Sequence, residues 1–252
     1  MICALMLGRE NSSGFPGKNT YPLLGRPVMY YPLTAAINSK HIDKVYVSTD
    51  SPTIKGITRE YGCEVIDRPP ELCTDEALGE DAYVHGHNYI KELLKESQSE
   101  LELLVLLMCN AVTVSSELID EGIRILLSRP ELDSAVTVSR YNMWSPLRAR
   151  KIDDAGLLQP FVPFETFGDP ATLNCDRDSQ GDVYFADMGT SIVRPHCIEN
   201  IETGLLPQKW MGNNIYPLIQ TGGLDIDYEW QLPAAEHWLR TNGHTEPFKT
   251  TG

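Results

Sequence analysis

The sequence lacks long apolar runs, C-x-x-C pairs and an excess of basic residues, and each absence narrows the possibilities. The apolar run at residues 2–7 is too short for a signal peptide or a membrane span, and no later run is long enough either. None of the six cysteines forms a C-x-x-C pair, which is typical of reduced thiols in the cytoplasm. Because 35 acidic residues face only 21 basic ones, the net charge of −14 disfavours nucleic acid and anionic membranes as partners. We therefore expect a cytoplasmic protein that binds neither.

The loop that follows this apolar run, residues 7–19 and here called the first loop, also lacks the two best-known phosphate-binding motifs. It contains no G-x-G-x-x-G, and G-x-x-x-x-G-K-[ST] fails because Asn19 stands where a hydroxyl should hold magnesium. A dinucleotide-binding fold and a P-loop NTPase are therefore not indicated. The loop nevertheless contains three glycines with Arg9 and Lys18, and Arg26 follows shortly. Since glycines let backbone N–H groups approach an anion and cations neutralise it, we expect a phosphate site here.

Short apolar runs alternate with helical patterns along the 252 residues, of which 42% are hydrophobic. The runs predict seven strands, at residues 2–7, 44–48, 63–66, 103–108, 134–138, 189–193 and 215–220. Helical spacing predicts helices over residues 28–39, 53–61, 80–97, 116–128 and 228–241. Pro233 is expected to bend or delay the last of these. The alternation favours an α/β fold with a mainly parallel sheet between helices and with ligand-binding loops at one edge.

The stretch from about residue 140 to residue 187 interrupts this rhythm. It contains four prolines, scattered aromatics and the acidic run 176–182. A stretch of this length is too long for a simple connection between two elements. We interpret residues 1–252 as a single domain in which residues 140–187, here called the arm, are an insertion that serves as a lid or a dimer contact.

Asp225-Ile226-Asp227 is a second candidate site. In an extended segment both carboxylates lie on one face, about 7 Å apart. That spacing suits a hard cation shared with a phosphate, and Mg²⁺ is the natural choice. The D-x-D pattern is weakly specific on its own, because Asp227 could instead cap the last helix.

Four motifs together resemble the acylneuraminate cytidylyltransferases (CMP-sialic acid synthetases), a family that includes relatives for legionaminic and pseudaminic acids. Residues 45–50 are similar to the family's strand ending in S-T-D, and residues 68–75 to its R-P-x-x-L-x-x-D segment. Asp225-Ile226-Asp227 with Ala235-Glu236 is similar to its D-I-D…A-E. The first loop is similar to its A-R-x-x-S-K-G-x-P-x-K-N, with matches at Arg9, Ser12, Gly14, Pro16, Lys18 and Asn19.

The resemblance implies a fold, a reaction and an assembly. The fold is a Rossmann-like nucleotidyltransferase sandwich of three layers, in a homodimer whose inserted arm crosses to the partner. In the reaction, the anomeric hydroxyl of a sialic-acid-like 2-keto-3-deoxy sugar acid attacks the α-phosphate of CTP, and pyrophosphate leaves. Such a transfer depends on positioning and charge neutralisation, with Mg²⁺ as the cofactor. The first loop and the acidic pair, Asp225 and Asp227, would then face each other across a cleft closed by the arm.

The resemblance also assigns the residues of the site. Arg9 and Lys18 hold the triphosphate and act in catalysis together with Asp227, which anchors Mg²⁺ with Asp225. Backbone N–H groups of the first loop add donors, and other side chains contact the cytidine or its phosphates. The nucleotide-binding set is therefore Arg9, Ser12, Ser13, Gly14, Lys18, Asn19, Arg68 and Asn110.

Two departures from the family pattern concern the nucleotide. Ser13 stands where relatives carry a lysine, so one charge near the phosphates is missing. Residues 108–112 replace the family's Q-P-T-S-P, which lines both the nucleotide and the sugar. We expect Asn110 to supply a polar contact there.

A third departure concerns the sugar. The family has an arginine in its Y/F-R-x-N-G stretch that meets the carboxylate of the sugar, and no arginine follows Tyr184 here. A bidentate arginine gives geometry as well as energy, so another cation must serve or the substrate differs from sialic acid. We expect Tyr184 and Arg177 to bind the sugar, with Arg148 or Arg150 as alternative cations.

Two other functions stay open at this point. A nucleotidyltransferase that uses another NTP or a sugar 1-phosphate agrees with the altered sugar side. A homologue that binds nucleotide or sugar without turnover agrees with Ser13 and with the altered residues 108–112. The retained cations and acidic pair argue against that homologue, because a pure binder has little need of a metal site.

Overall fold

The computed structural model describes residues 1–11 and 14–245, and strands form the framework of that part of the chain. Seven strands make the main sheet, and four others make two short ribbons. All seven predicted strands are present, and β10 is the one that extends furthest beyond its predicted range. In chain order the strands are β1 (Ile2–Leu7), β2 (Pro22–Leu23), β3 (Arg26–Pro27), β4 (Lys44–Thr49), β5 (Glu64–Asp67), β6 (Leu103–Met108), β7 (Ser134–Arg140), β8 (Arg150–Ile152), β9 (Leu158–Pro160), β10 (Tyr184–Val193) and β11 (Ile215–Gln220).

The α-helices of the described residues are α1 (Tyr30–Ile37), α2 (Pro52–Glu60), α3 (Gly79–Glu96), α4 (Ser116–Ser128), α5 (Pro195–Glu199) and α6 (Leu232–Thr241). The last helix begins at Leu232 rather than at residue 228, which confirms the delay expected from Pro233. Glu229–Gln231 is a 3-10 turn, and Pro233 fits only the first turn of α6. Helix α5 was missed because one turn shows no periodic pattern. No helix within residues 1–11 and 14–245 has both the length and the apolar character of a membrane span.

The main sheet has the strand order β11-β7-β10-β6-β1-β4-β5. Strand β10 runs antiparallel to both β6 and β7, and the other neighbours are parallel. The predicted mainly parallel sheet is therefore confirmed. Because β7 and β10 are antiparallel neighbours, the chain between them leaves the sheet and returns to it at the same edge. The segment between these two strands is the arm.

The side chains of β1 point alternately to the two faces of the sheet, and helices cover both faces. All of β1 is buried. Ile2, Ala4 and Met6 pack on one face with Leu33 of α1 and Ile123 of α4. The odd-numbered residues of β1 pack on the opposite face with buried side chains of α3 and α5. A strand buried on both faces is expected in a parallel sheet with a helical layer on each side.

The arm exposes many apolar side chains. It carries the ribbon β8–β9 and several short 3-10 turns. A large exposed apolar surface usually marks a site of interaction with another molecule. The exposed apolar residues of the arm are Met143, Trp144, Ile152, Leu157, Leu158, Phe161, Tyr184 and Phe185.

Candidate active site

The carboxyl ends of three neighbouring strands meet at one edge of the main sheet. Leu7 at the end of β1 pairs with Ser48 of β4 and with Met108 of β6. The first loop therefore leaves the sheet beside the residues that follow β4 and β6, where parallel sheets commonly bind ligands. The segment after β11 reaches the same edge, because the Ile226 N–H donates to the Asn110 carbonyl at 3.0 Å.

Lys18 brings the first loop into contact with the acidic pair. Its Nζ donates to Oδ1 of Asp227 at 2.5 Å, although 209 positions separate the two residues in sequence. Only 13% of the Lys18 side chain is exposed, so the ion pair is partly shielded from solvent. Gly14 lies against the same segment, since a Cβ there would come within 2.7 Å of the Asp227 carbonyl oxygen. The missing side chain at Gly14 is what lets the loop approach the acidic pair.

The burial of Ile226 sets the direction of both carboxylates. Ile226 is fully buried in a core cluster, whereas Asp225 and Asp227 are half-buried. Nδ2 of Asn110 lies 3.4 Å from Oδ2 of Asp225 and 3.4 Å from Oδ1 of Asp227, so both carboxylates face one amide. Burial, and then the charge of Asp227, raises the pKa of Asp225. Two carboxylates that crowd each other in this way suit a divalent cation, and the Lys18 ammonium already lies against one of them.

Arg9 is held by the wall of the cleft that lies opposite the first loop. Its Nη1 donates to the Thr74 carbonyl at 2.7 Å, and its Nη2 lies 2.9 Å from Oδ1 of Asp75. Asn19 is buried and donates from Nδ2 to the Arg9 carbonyl at 3.1 Å, which fixes the start of the loop. A phosphate that binds Arg9 therefore competes with Asp75.

Arg68 supplies a third cation, at the floor of the cleft. Its Nε donates to Oγ of Ser48 at 3.2 Å and its Nη2 to the Ser48 carbonyl at 2.6 Å. Burial lowers the pKa of Arg68, but a guanidinium stays protonated because its ordinary pKa is far above neutrality. A buried cation at the floor of a cleft favours an anionic ligand above it.

The cations and amides described above, but not the carboxylates of Asp225 and Asp227, line a cleft of about 220 Å³. Its opposite wall comes from residues 72–82 and is largely apolar. Cations on one side and an apolar wall on the other suit a nucleotide, with phosphates at the first and the base against the second. The polar residues that line the cleft are Arg9, Lys18, Asn19, Arg68, Thr74 and Asn110.

The two predicted sugar-binding residues lie elsewhere in the chain. Arg177 pairs with its neighbour Asp178 at 3.0 Å, and the Tyr184 hydroxyl lies 3.5 Å from Asp182. Neither residue lines the cleft, so their role in binding sugar stays a prediction. Over the described part of the chain, no arm residue lines the cleft, and the arm of one chain does not close it.

Arg26, expected to add to the positive charge at the phosphate site, does not line the cleft. The guanidinium of Arg26 lies over the ring of Tyr30, 5.1 Å from its centroid, and not in the cleft. Its expected contribution to the phosphate site is therefore wrong. Ser12 and Ser13 lie outside the described residues.

A larger hollow of about 660 Å³ lies beside residues 220–224, between α4 and α6. Its lining includes Glu117, Glu121 and Trp238. Among the described residues that line it there is no lysine or arginine. Phosphates therefore fit the smaller cleft, where three cations converge.

The side chains that support the acidic segment from β7 and β10 could not be predicted from the sequence. Asp187 is buried and accepts a hydrogen bond from the Ser139 hydroxyl at 2.6 Å. The Ser139 hydroxyl in turn accepts from the Gly223 N–H at 2.9 Å. The one signal in the sequence was the Gly222-Gly223 pair, which indicates a close backbone approach just before the acidic pair.

Known proteins similar in sequence point to one family. A cytidylyltransferase family model matches residues 3–134. N-acylneuraminate cytidylyltransferase of Escherichia coli O18:K1:H7 is 30% identical over 160 residues, which cover 64% of this chain and 36% of that protein. The same-named protein of Streptococcus agalactiae serotype III is 35% identical over 107 residues, or 42% of this chain and 24% of that protein. The chain thus spans about a third or less of the length of these relatives.

A solved structure agrees with the fold. CMP:2-keto-3-deoxy-manno-octonic acid synthetase in complex with CTP has a TM-score of 0.64, covers 96% of this chain and 99% of its own, and is 14% identical. The predicted Rossmann-like nucleotidyltransferase fold is therefore confirmed. The matched residues 3–134 hold the first loop, Arg68 and Asn110, which form the polar side of the cleft. The resemblance found in the sequence is confirmed, and the chain belongs to the cytidylyltransferase family.

Proposed function

We propose that this protein transfers CMP from CTP to the anomeric hydroxyl of a 2-keto-3-deoxy sugar acid and releases pyrophosphate. One observation carries the proposal: the Lys18–Asp227 contact joins a basic glycine-containing loop to an acidic pair beside a cleft. The names of the relatives from Escherichia coli and Streptococcus agalactiae support CTP as the nucleotide and a sialic-acid-like sugar as the acceptor.

The nucleotide end of the reaction uses the three cations of the cleft. Arg9 and Lys18 bind the triphosphate, while Arg68 at the cleft floor adds a fixed positive charge. On nucleotide binding, Arg9 exchanges Asp75 for a phosphate at little cost, because the Asp75 side chain is 67% exposed and this ion pair is weak. Preorganised cations stabilise the charge that develops on the phosphates during transfer.

Asp225 and Asp227 would hold Mg²⁺ as the cofactor. The donor set fits a hard cation, because two half-buried carboxylates face the same side and one of them already pairs with the ammonium of Lys18. Mg²⁺ bound there would neutralise phosphate charge and orient the reacting oxygens. Asn110 donates toward both carboxylates and so keeps their oxygens directed at the shared space.

We propose that a second copy of the chain completes the sugar end of the site. The arm cations Arg148, Arg150 and Arg177 do not line the cleft of their own chain, so in a homodimer they would bind the sugar carboxylate at the cleft of the partner. The exposed apolar side chains of the arm support such a dimer. The reaction takes place in the cytoplasm, where the six unpaired cysteines suit the reducing conditions.

A pyrophosphate-release assay tests the proposed reaction. The protein with Mg²⁺ is given each of four NTPs and a panel of 2-keto-3-deoxy sugar acids. With at least one acid, CTP should release pyrophosphate at least about tenfold faster than ATP, GTP or UTP, because base recognition depends on hydrogen bonds. No release with CTP and any acid would contradict the proposal. Release with a sugar 1-phosphate or another NTP instead would indicate a different nucleotidyltransferase.

Light scattering in solution tests the homodimer. The wild-type protein should have twice the mass of the 28.2 kDa chain. Leu158→Glu places a charge on the 71%-exposed Leu158 of the arm and should give the monomer mass. Leu206→Glu is the matched control, since Leu206 is 80% exposed but lies outside the arm, and this variant should stay dimeric. A wild-type monomer, or equal dissociation of both variants, would count against the arm as the dimer contact.

A further inference from the structure

The carboxylate of Asp187 is buried where the arm returns to the main sheet, and it takes no part in the chemistry proposed above. Asp187 lies at an irregularity of β10 and is 6% exposed. Its Oδ2 accepts from Oγ of Ser139 at 2.6 Å and from Nε2 of Gln220 at 2.9 Å, and its Oδ1 accepts from the Gly189 N–H at 3.2 Å. These three donors, from β7, from β11 and from the backbone of β10 itself, offset the cost of burying this charge.

The contacts of Asp187 converge on Gly223, two residues before Asp225. The Gly223 N–H donates to Oγ of Ser139 at 2.9 Å, and its carbonyl accepts from the Tyr141 hydroxyl at 2.7 Å. A side chain at Gly223 has no space, because a Cβ would collide with Oδ2 of Asp187. Ser139, which is bound to Asp187, and Tyr141 therefore hold the two peptide groups on either side of the Gly223 Cα, just before the acidic pair.

The chain between Gly223 and the acidic pair is held just as closely. Oγ1 of Thr113 accepts from the Leu224 N–H at 2.8 Å and donates to the Leu224 carbonyl at 3.0 Å. Ile226 is then bound through its N–H to the Asn110 carbonyl. Gly223, Leu224 and Ile226 are therefore successive fixed points along the short segment that carries both carboxylates.

We infer that Asp187 is a positioning residue that, through Ser139 and Gly223, fixes where Asp225 and Asp227 hold their metal ion. The inference rests on the proposed function. Asp187 makes no hydrogen bond to either carboxylate and acts through the Ser139 hydroxyl and the backbone that begins at Gly223. The same contacts connect the place where the arm returns to the main sheet with the metal site. The position of the arm and the geometry of the acidic pair therefore depend on one carboxylate.

The test compares Asp187→Asn with a control at a buried carboxylate of the same kind. Asp120 is 8% exposed and accepts from Oγ of Ser39 at 2.6 Å, and Oγ of Ser39 accepts from the His41 N–H at 3.3 Å. This pair repeats the Asp187–Ser139–backbone arrangement but does not line the cleft. Asp120→Asn therefore reports the cost of the same substitution without a link to the acidic pair.

Mn²⁺ binding in the presence of CTP, measured by electron paramagnetic resonance, is the main readout because it needs no turnover. Asp187→Asn should raise the Kd for Mn²⁺ about 10- to 100-fold, as loss of an outer partner of a metal site does. It should lower kcat to a similar extent with little change in the KM for CTP, because misplaced groups slow the chemical step. Ser139→Ala should do the same with less effect on folding, while Asp120→Asn should change only the Tm.

The outcomes separate this inference from the proposed function. An increase in the Kd for Mn²⁺ that is no larger in Asp187→Asn and Ser139→Ala than in Asp120→Asn would overturn the positioning role. A wild-type protein that binds Mn²⁺ with CTP but turns over no sugar acid contradicts the proposed function, while the comparison of Kd values still decides the role of Asp187. A wild-type protein that binds no Mn²⁺ in the presence of CTP overturns both.

Discussion

Asp227→Asn is expected to lower kcat about 10³-fold, because losing about 4 kcal/mol of charge stabilisation in the transition state has that effect on the rate. The amide keeps the size of the side chain but not the charge that binds a cation. CTP should still bind, since Asp227 does not line the cleft and Lys18 is freed to meet a phosphate. Pyrophosphate release measures kcat, and calorimetry without metal measures CTP binding.

Asp67→Asn is the matched control for this substitution. Asp67 also accepts from a lysine, Lys55, at 2.7 Å, but its side chain is 80% exposed and does not line the cleft. Its loss should leave kcat within about twofold of wild type, as is usual at the surface. If Asp227→Asn turns over like wild type, the metal-binding role of Asp227 is wrong. If it loses CTP binding instead, Asp227 holds the first loop in place rather than a metal.

The main sheet could be predicted because its strands are continuous apolar runs. Strand β6, residues 103–108, is buried almost throughout, and such a run needs no knowledge of its neighbours to be recognised. The direction of β10 could not be predicted, since an apolar pattern looks the same in either direction. Its direction follows from the arm, which returns the chain to the sheet edge that it left. The short ribbons and α5 were missed because they are held by neighbours rather than by a local pattern.

The candidate site could be predicted only where its chemistry is local in sequence. The first loop and the acidic pair each combine several informative residues in a few positions. The partners of Arg9 could not be predicted, because Thr74 and Asp75 meet it only after the sheet brings two distant loops together. Asp187 was missed for the same reason, since its role depends on contacts with β7, β11 and Gly223 that no sequence spacing encodes. Local motifs thus identify the groups that act, and the fold identifies the groups that hold them.

Lys18→Met should have the second-largest effect, a fall in kcat/KM for CTP of about 10²- to 10³-fold, because a preorganised cation at the phosphates is lost. The same change should tighten Mn²⁺ binding in the absence of nucleotide. Without Lys18, no ammonium competes for the Asp227 carboxylate. Methionine keeps most of the length of the buried stem, so packing should change little. Steady-state kinetics and an Mn²⁺ titration without CTP measure the two effects.

The opposite signs of these two effects distinguish the roles that Lys18 can have. A phosphate-binding lysine competes with Mn²⁺ for Asp227, whereas a purely structural lysine holds the carboxylate in place and supports metal binding. Lys55→Met removes a lysine paired with Asp67 away from the cleft, and it should leave both measurements within about twofold of wild type. If Lys18→Met weakens Mn²⁺ binding and leaves CTP affinity unchanged, the lysine serves the acidic pair and the triphosphate site must rest on Arg9 and Arg68.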